Sequence, residues 1–124
     1  MNRRSRTWGL EISIEPVAGG IVLAPKGRIG SVTAPAFADA LNAVLAGPGR
    51  VIIDLTDVDY VSGPAVRTLQ QSAATDRGRT IVCGLQEAVG ITLELGDALD
   101  GVLVMKDRAA ALASLIMGNQ RFKD

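Results

Sequence analysis

The stretch Arg50–Leu69, RVIIDLTDVDYVSGPAVRTL, decides how this chain is read. Val51-Ile52-Ile53 is a β-branched run that suits a pleated, buried surface and predicts a strand. Asp54-Leu55-Thr56-Asp57 breaks that run. Val58, Tyr60 and Val61 return apolar groups to the body of the domain. Ser62-Gly63-Pro64 then opens a helix whose apolar positions, Val66 and Leu69, sit three apart. A strand, a turn and a helix start within so few residues gather unpartnered backbone N–H groups that point outward at whatever approaches.

Upstream of this stretch, Leu10, Ile12 and Ile14 alternate with Glu11, Ser13 and Glu15, the pattern of a half-buried strand. Pro16 to Gly20 reads as a turn, and Gly19-Gly20 followed by Ile21-Val22-Leu23-Ala24 predicts a hairpin into a second strand. Pro25, Gly27 and Gly30 predict a loop. Thr33 is placed to cap a helix with Pro35 in its first turn and Phe37, Leu41, Val44 and Leu45 on its buried face. Gly47-Pro48-Gly49 stops it. Downstream, the helix from Ser62 is expected to run to about Asp76, with Gly78 ending it. Thr80-Ile81-Val82-Cys83 is a further strand. Ala88, Ile91, Thr92 and Leu95 predict a short helix, and Val102-Leu103-Val104 a last short strand. Asp107 caps a final helix with Ala111, Leu112, Leu115 and Ile116 on its buried face.

The chain has 124 residues, enough for one domain and too few for two. Hydrophobic residues make up 48% and aromatics only 3%, so the core is built from Val, Ile, Leu and Ala. Thirteen basic residues balance 13 acidic ones, which argues against a general nucleic-acid binder. The absence of histidine removes the commonest metal ligand and the usual general base. Cys83 is the single cysteine, so no intrachain disulfide forms. No apolar run approaches membrane-spanning length, and Arg3, Arg4 and Arg6 are not followed by the apolar segment of a secretory signal. The expected location is cytoplasmic. Residues 1–8 are expected to be a basic flexible tail, 9–117 the folded domain and 118–124 a C-terminal tail.

The quoted stretch resembles the signature of the STAS family, the sulfate-transporter and anti-sigma-factor-antagonist domain. Asp54-Leu55-Thr56 stands where the family has DLS, Val58-Asp59-Tyr60-Val61 matches the link, and Ser62-Gly63-Pro64-Ala65-Val66-Arg67 stands in the signature turn. Gly27 to Ala34 resembles the family's G-x-L-D-x-x-T-A loop. Gly84-Leu85, with Val89, Leu93 and Leu95, resembles its later G-L-x-x-x-V-x-x-x-L-x-L. The resemblance implies an α/β domain of STAS-like (SpoIIAA-like) fold, a mixed sheet of about five strands with about four helices. The alternation of strands and helices after the first hairpin agrees.

The family's turn often carries a serine that a partner kinase phosphorylates. That position is Pro64 here, and the serine position before it is Gly63; neither has a hydroxyl. Aspartates common in the family at the positions of Gly30 and Ser62 are also missing. The resemblance therefore implies a non-enzymatic, protein-binding module without the usual phosphorylation switch, one that binds an anti-sigma factor of the serine-kinase type. The expected partner surface is Ser62, Gly63, Pro64, Ala65 and Arg67, beside Gly30, Ser31 and Thr33. Ser62 is the candidate phosphorylation site, although a capping role competes for its hydroxyl. Alternative settings are a subunit of an ABC-type lipid transport system or of a stress-sensing assembly, and a homodimer is a further candidate arrangement. No cofactor, metal or nucleic acid is expected. Asp54, Asp57 and Asp59 read as a solvated turn, and Cys83 as a small buried hydrophobe.

Overall fold

The computed structural model describes residues 3–75 and 79–121. Its elements run β1 Arg3–Thr7, β2 Leu10–Val17, β3 Gly20–Ile29, α1 Ala34–Leu45, β4 Arg50–Asp54, β5 Asp57–Val61, α2 Gly63–Thr75, β6 Thr80–Cys83, α3 Glu87–Leu95, β7 Leu103–Met105 and α4 Arg108–Arg121. The main path of the sheet is β1-β2-β3-β4-β6-β7, and β5 pairs with β3 off that path. The β1–β2–β3 part is antiparallel and the rest is parallel. The expected mixed α/β sheet with four helices is present, with seven strands in place of five.

The extra strands have different origins. The run RRSRT lacks apolar alternation, and yet Arg3–Thr7 pairs with Leu10–Ile14, so this part of the expected flexible tail is an ordered edge strand. An edge strand held by main-chain bonds needs no buried face, and its charges guard it against pairing with other chains. The link Asp57–Val61 is a strand as well, because Val58 and Val61 reach the core while Asp57, Asp59 and Tyr60 stay out. The expected loop at Pro25 and Gly27 is the upper half of β3. Pro25 falls between the two parallel pairings, β4 on Gly20–Leu23 and β5 on Lys26–Ile29, where a missing N–H breaks no ladder bond to either strand.

Strands β3, β4 and β6 are buried on both faces. On one face, Leu23, Val51, Ile53 and Val82 pack with Phe37 and Leu41 of α1, Ala65 and Leu69 of α2, and Val89 and Leu93 of α3. On the other, Val22, Ile52, Ile81 and Cys83 meet Ala111 and Leu115 of α4. The upper end of this second face is polar instead. Arg6, Glu11, Lys26 and Asp57 stand directly opposite one another across β1, β2, β3 and β5, an alternating row of charges, and Arg6 closes on Glu11 at 3.3 Å.

Two helix faces differ from expectation. In α3 the inward pair is Val89 and Leu93, while Ile91 and Leu95 are exposed; the helix carries two apolar stripes and only one meets β5. In α4 Ile116 is exposed, and the helix runs to Arg121, past the expected boundary at 117. A single Gly118 costs about 1 kcal/mol of helix propensity, which is not a stop signal. The expected end of α2 at Asp76 to Gly78, and residues 122–124 of the expected C-terminal tail, lie outside the described residues.

Candidate functional site

The end of β3 positions two segments together. The Ser62 N–H donates to the Ile29 carbonyl at 2.9 Å, so the start of α2 is anchored beside the loop that leaves β3. Gly30, Ser31, Thr33 and the turn Ser62-Gly63-Pro64-Ala65 therefore come together at this end of the sheet, but Thr33, Ser62 and Ala65 are buried and drop out of the expected partner surface. Gly63 and Pro64 are exposed, whereas Ser62 is only 4% exposed and Ala65 is fully buried. Ser62 stands at the N-cap of α2: its carbonyl accepts from the Val66 N–H at 2.9 Å, and its hydroxyl accepts a long bond from the Ala65 N–H at 3.4 Å. Pro64 lies in the first helical turn, where a missing N–H is tolerated.

Thr33 holds the N-cap position of α1 without capping it. Its hydroxyl turns back into the loop, accepting from the Gly30 N–H at 2.9 Å and donating to the Arg28 carbonyl at 3.1 Å. Thr33 is buried, so of the three hydroxyls Ser31, Thr33 and Ser62 only Ser31 is exposed. Gly30 and Gly63 have open space where a Cβ would stand and do not adopt left-handed backbone. Neither packing nor backbone strain requires glycine at these two positions. Arg67 is exposed on α2, and among the described residues it forms no ion pair.

The three aspartates separate. Asp57 and Asp59 are exposed, but Asp54 is 5% exposed, which corrects the solvated-turn reading for that residue. Its carboxylate accepts from the Thr56 N–H at 3.0 Å, the Thr56 hydroxyl at 2.5 Å and Arg108 Nε at 2.7 Å. Burial pushes the Asp54 carboxyl up, but the bonds from Thr56 and Arg108 outweigh it and hold the pKa below the ordinary carboxylate value. Cys83 is buried next to Asp54; desolvation, reinforced by the aspartate charge, pushes its thiol up to about 12. Such a thiol stays protonated at neutral pH and is a poor nucleophile. Among the described residues no cluster of three potential metal ligands occurs.

Sequence reasoning missed three arginine contacts. Arg108 bridges Asp54 and Glu15. Arg79 donates to the carbonyls of Leu45, Gly47 and Gly49, satisfying the chain where α1 ends. Arg28 lies over the Tyr60 ring at 4.3 Å, next to the candidate surface. None has a local signature, because the partners are distant in sequence; only the Arg28–Tyr60 pair falls inside stretches already singled out.

Fold and turn together define an α/β domain of SpoIIAA-like architecture. The chain belongs to the STAS domain family, whose model matches residues 11–111. Solved structures share the fold. An anti-sigma factor antagonist from Mycobacterium paratuberculosis is 22% identical, with a TM-score of 0.78 over 86% of this chain and 94% of that one. An RsbS variant from Moorella thermoacetica is 21% identical, with a TM-score of 0.72 over 88% of this chain and 97% of its own. The anti-sigma factor antagonist SpoIIAA in its unphosphorylated form is 13% identical, with a TM-score of 0.62 over 86% and 98%. No curated protein sequence matches the chain. No helix among the described residues is long and apolar enough to cross a membrane.

Proposed function

We propose that this protein is a non-enzymatic binding module that acts as an anti-sigma factor antagonist. Its partner is an anti-sigma factor of the serine-kinase type, which docks on Gly63, Pro64 and Arg67 with Gly30 and Ser31 alongside. Binding is not toggled by phosphorylation of the turn. The observation that carries this reading is the distribution of exposure at the start of α2: the open positions, Gly63 and Pro64, have no hydroxyl, and the hydroxyl of Ser62 is buried and engaged. A kinase active site needs an accessible acceptor, and a partner backbone needs a low surface. This turn offers the second and withholds the first. Arg67 supplies a fork that suits a partner carboxylate.

The test is calorimetric titration of the chain with the kinase-type anti-sigma domains of its host, each with ATP, followed by mass spectrometry. Binding with no phosphate on the chain is expected. Gly63→Arg should abolish binding and leave the melting temperature near wild type, because that position has room for a side chain. Phosphate on Ser62, Ser31 or Thr33, or unimpaired binding by Gly63→Arg, would overturn the reading.

A further inference from the structure

Trp8 breaks two local rules at once. It is the sole tryptophan of an aromatic-poor chain and is 82% exposed. It also has a φ of +50°, which a bulky side chain rarely adopts. The register of β1 against β2 leaves Trp8 and Gly9 as a two-residue turn, with Gly9 at φ +85°. Both residues in left-handed backbone match the twist of a hairpin, but Asn or Gly is the usual choice in the first position. A large apolar group kept in water on unfavourable backbone points to a role outside the fold.

The turn is held in place. Gly27 of β3, at φ +119°, lets the Gly9 carbonyl approach so closely that a Cβ at 27 would lie 2.9 Å from its oxygen. From Gly27 the sheet leads across to the candidate surface: Gly27 pairs with Val58, Arg28 with Tyr60 and Ile29 with Val61, directly before Ser62. The Trp8–Gly9 turn therefore sits about 10 Å, two strand spacings, from β5 and at the same end of the sheet. On the two strands that end this path the Arg28 guanidinium lies over the Tyr60 ring, and Val32, in the loop that leaves β3, is exposed. Lys26 faces Asp57 and Arg6 pairs with Glu11, and Arg28 and Arg67, which form no ion pair among the described residues, outnumber the exposed Asp59 of β5, so the local excess is a single positive charge. Trp8 also lies outside residues 11–111, the part of the chain that the family shares.

We infer that Trp8 is a specificity-determining contact of the partner surface, an indole that seats in an apolar recess rimmed by carboxylates on the protein partner. The inference rests on the reading under Proposed function and deepens it. The surface extends from α2 across β5 and β3 to the hairpin turn. The shared part of the domain supplies the low platform, and the hairpin supplies an anchor of the kind that dominates interface energetics. The two arginines set the charge of the recess it selects.

The chain is labelled with 5-fluorotryptophan, which gives a single fluorine resonance from residue 8, and is titrated with the same host anti-sigma domains. The expected result is a shifted resonance on binding. Trp8→Gly, which suits the left-handed backbone and should fold at least as well, is expected to weaken binding tenfold or more. Trp8→Phe is expected to recover part of that loss, and Arg28→Ala to weaken binding in a way that added salt masks. Binding with an unmoved resonance and an unchanged Kd for Trp8→Gly overturns this inference and leaves the proposed function standing. Absence of binding by the wild-type chain to every such domain overturns both. A resonance that shifts with the chain's own concentration, with no partner present, assigns the indole to a second copy of the chain and overturns the inference as well.

Discussion

Arg108 Nε donates to Asp54 Oδ2 at 2.7 Å, joining the first residue of α4 to the last residue of β4 across the sheet. The same guanidinium reaches Glu15 of β2 at 3.4 Å, so one side chain ties three elements. The acid sits in the interior and the base is 38% exposed, so the bond is partly shielded from water. Arg108→Ala would leave a buried carboxylate with Thr56 as its remaining donor. A loss of about 2 kcal/mol is expected, after allowance for the exposed side of the guanidinium. Urea denaturation measures it as a lower midpoint with an unchanged slope.

The same contact sets a pH dependence. Because the folded pKa of Asp54 lies below its ordinary value of 3.8, the unfolded chain binds the proton more readily than the folded one. The stability so gained is fully present above about pH 4 and is lost as pH falls through the folded value. Melting curves from pH 7 to pH 2 should show a shallower acid limb for Asp54→Asn than for wild type. Parallel limbs would detach Asp54 from the acid response.

Cys83 is buried with a thiol pKa pushed up to about 12. Native protein at pH 8 should therefore react with a disulfide reagent only as fast as it opens, while protein in guanidinium reacts at once. A native rate matching the unfolded rate would contradict the burial.

Two pairs of glycines should respond oppositely. Gly20 lies so close to β4 that a Cβ would run into the Arg50 carbonyl oxygen, and Gly27 combines φ +119° with the approach of the Gly9 carbonyl. Gly20→Ala and Gly27→Ala should each cost about 2 kcal/mol, seen as lower melting temperatures. Gly30→Ala and Gly63→Ala meet open space and ordinary backbone. Gly63→Ala, at the start of a helix, should stabilise the fold by about 0.5 kcal/mol. The double variant should fold normally, so any weakening of partner binding in it reports the added methyl groups and not lost structure.

The central sheet was legible because its signal is local. Val51-Ile52-Ile53 and Thr80-Ile81-Val82-Cys83 are continuous apolar runs, and both are strands buried on two faces. The hairpin at Gly19 was legible for the same reason, since Gly19 takes φ +87° between Val17 and Gly20. RRSRT was not legible as a strand, because its order comes from β2 and not from its own composition. The inward face of α3 was not legible either, because both of its stripes are apolar and only the packing against β5 chooses between them. At the candidate surface, the place of the turn beside the Gly30–Thr33 loop followed from the motif. The inward turn of the Thr33 hydroxyl did not, because it depends on carbonyls that a neighbouring bend happens to supply.

Strand β3 forks. Its lower half borders β4 as far as Leu23, and its upper half borders β5 from Lys26 onward. The strand that delivers the start of α2 thus hangs from a single neighbour, while β4 is stitched on both sides. Backbone amides of β5 should take up deuterium well ahead of those of β4. On the proposed function, the docking end is built on a strand laddered along one side only, and its remaining footing is the side-chain packing of Val58 and Val61 and not a second neighbour.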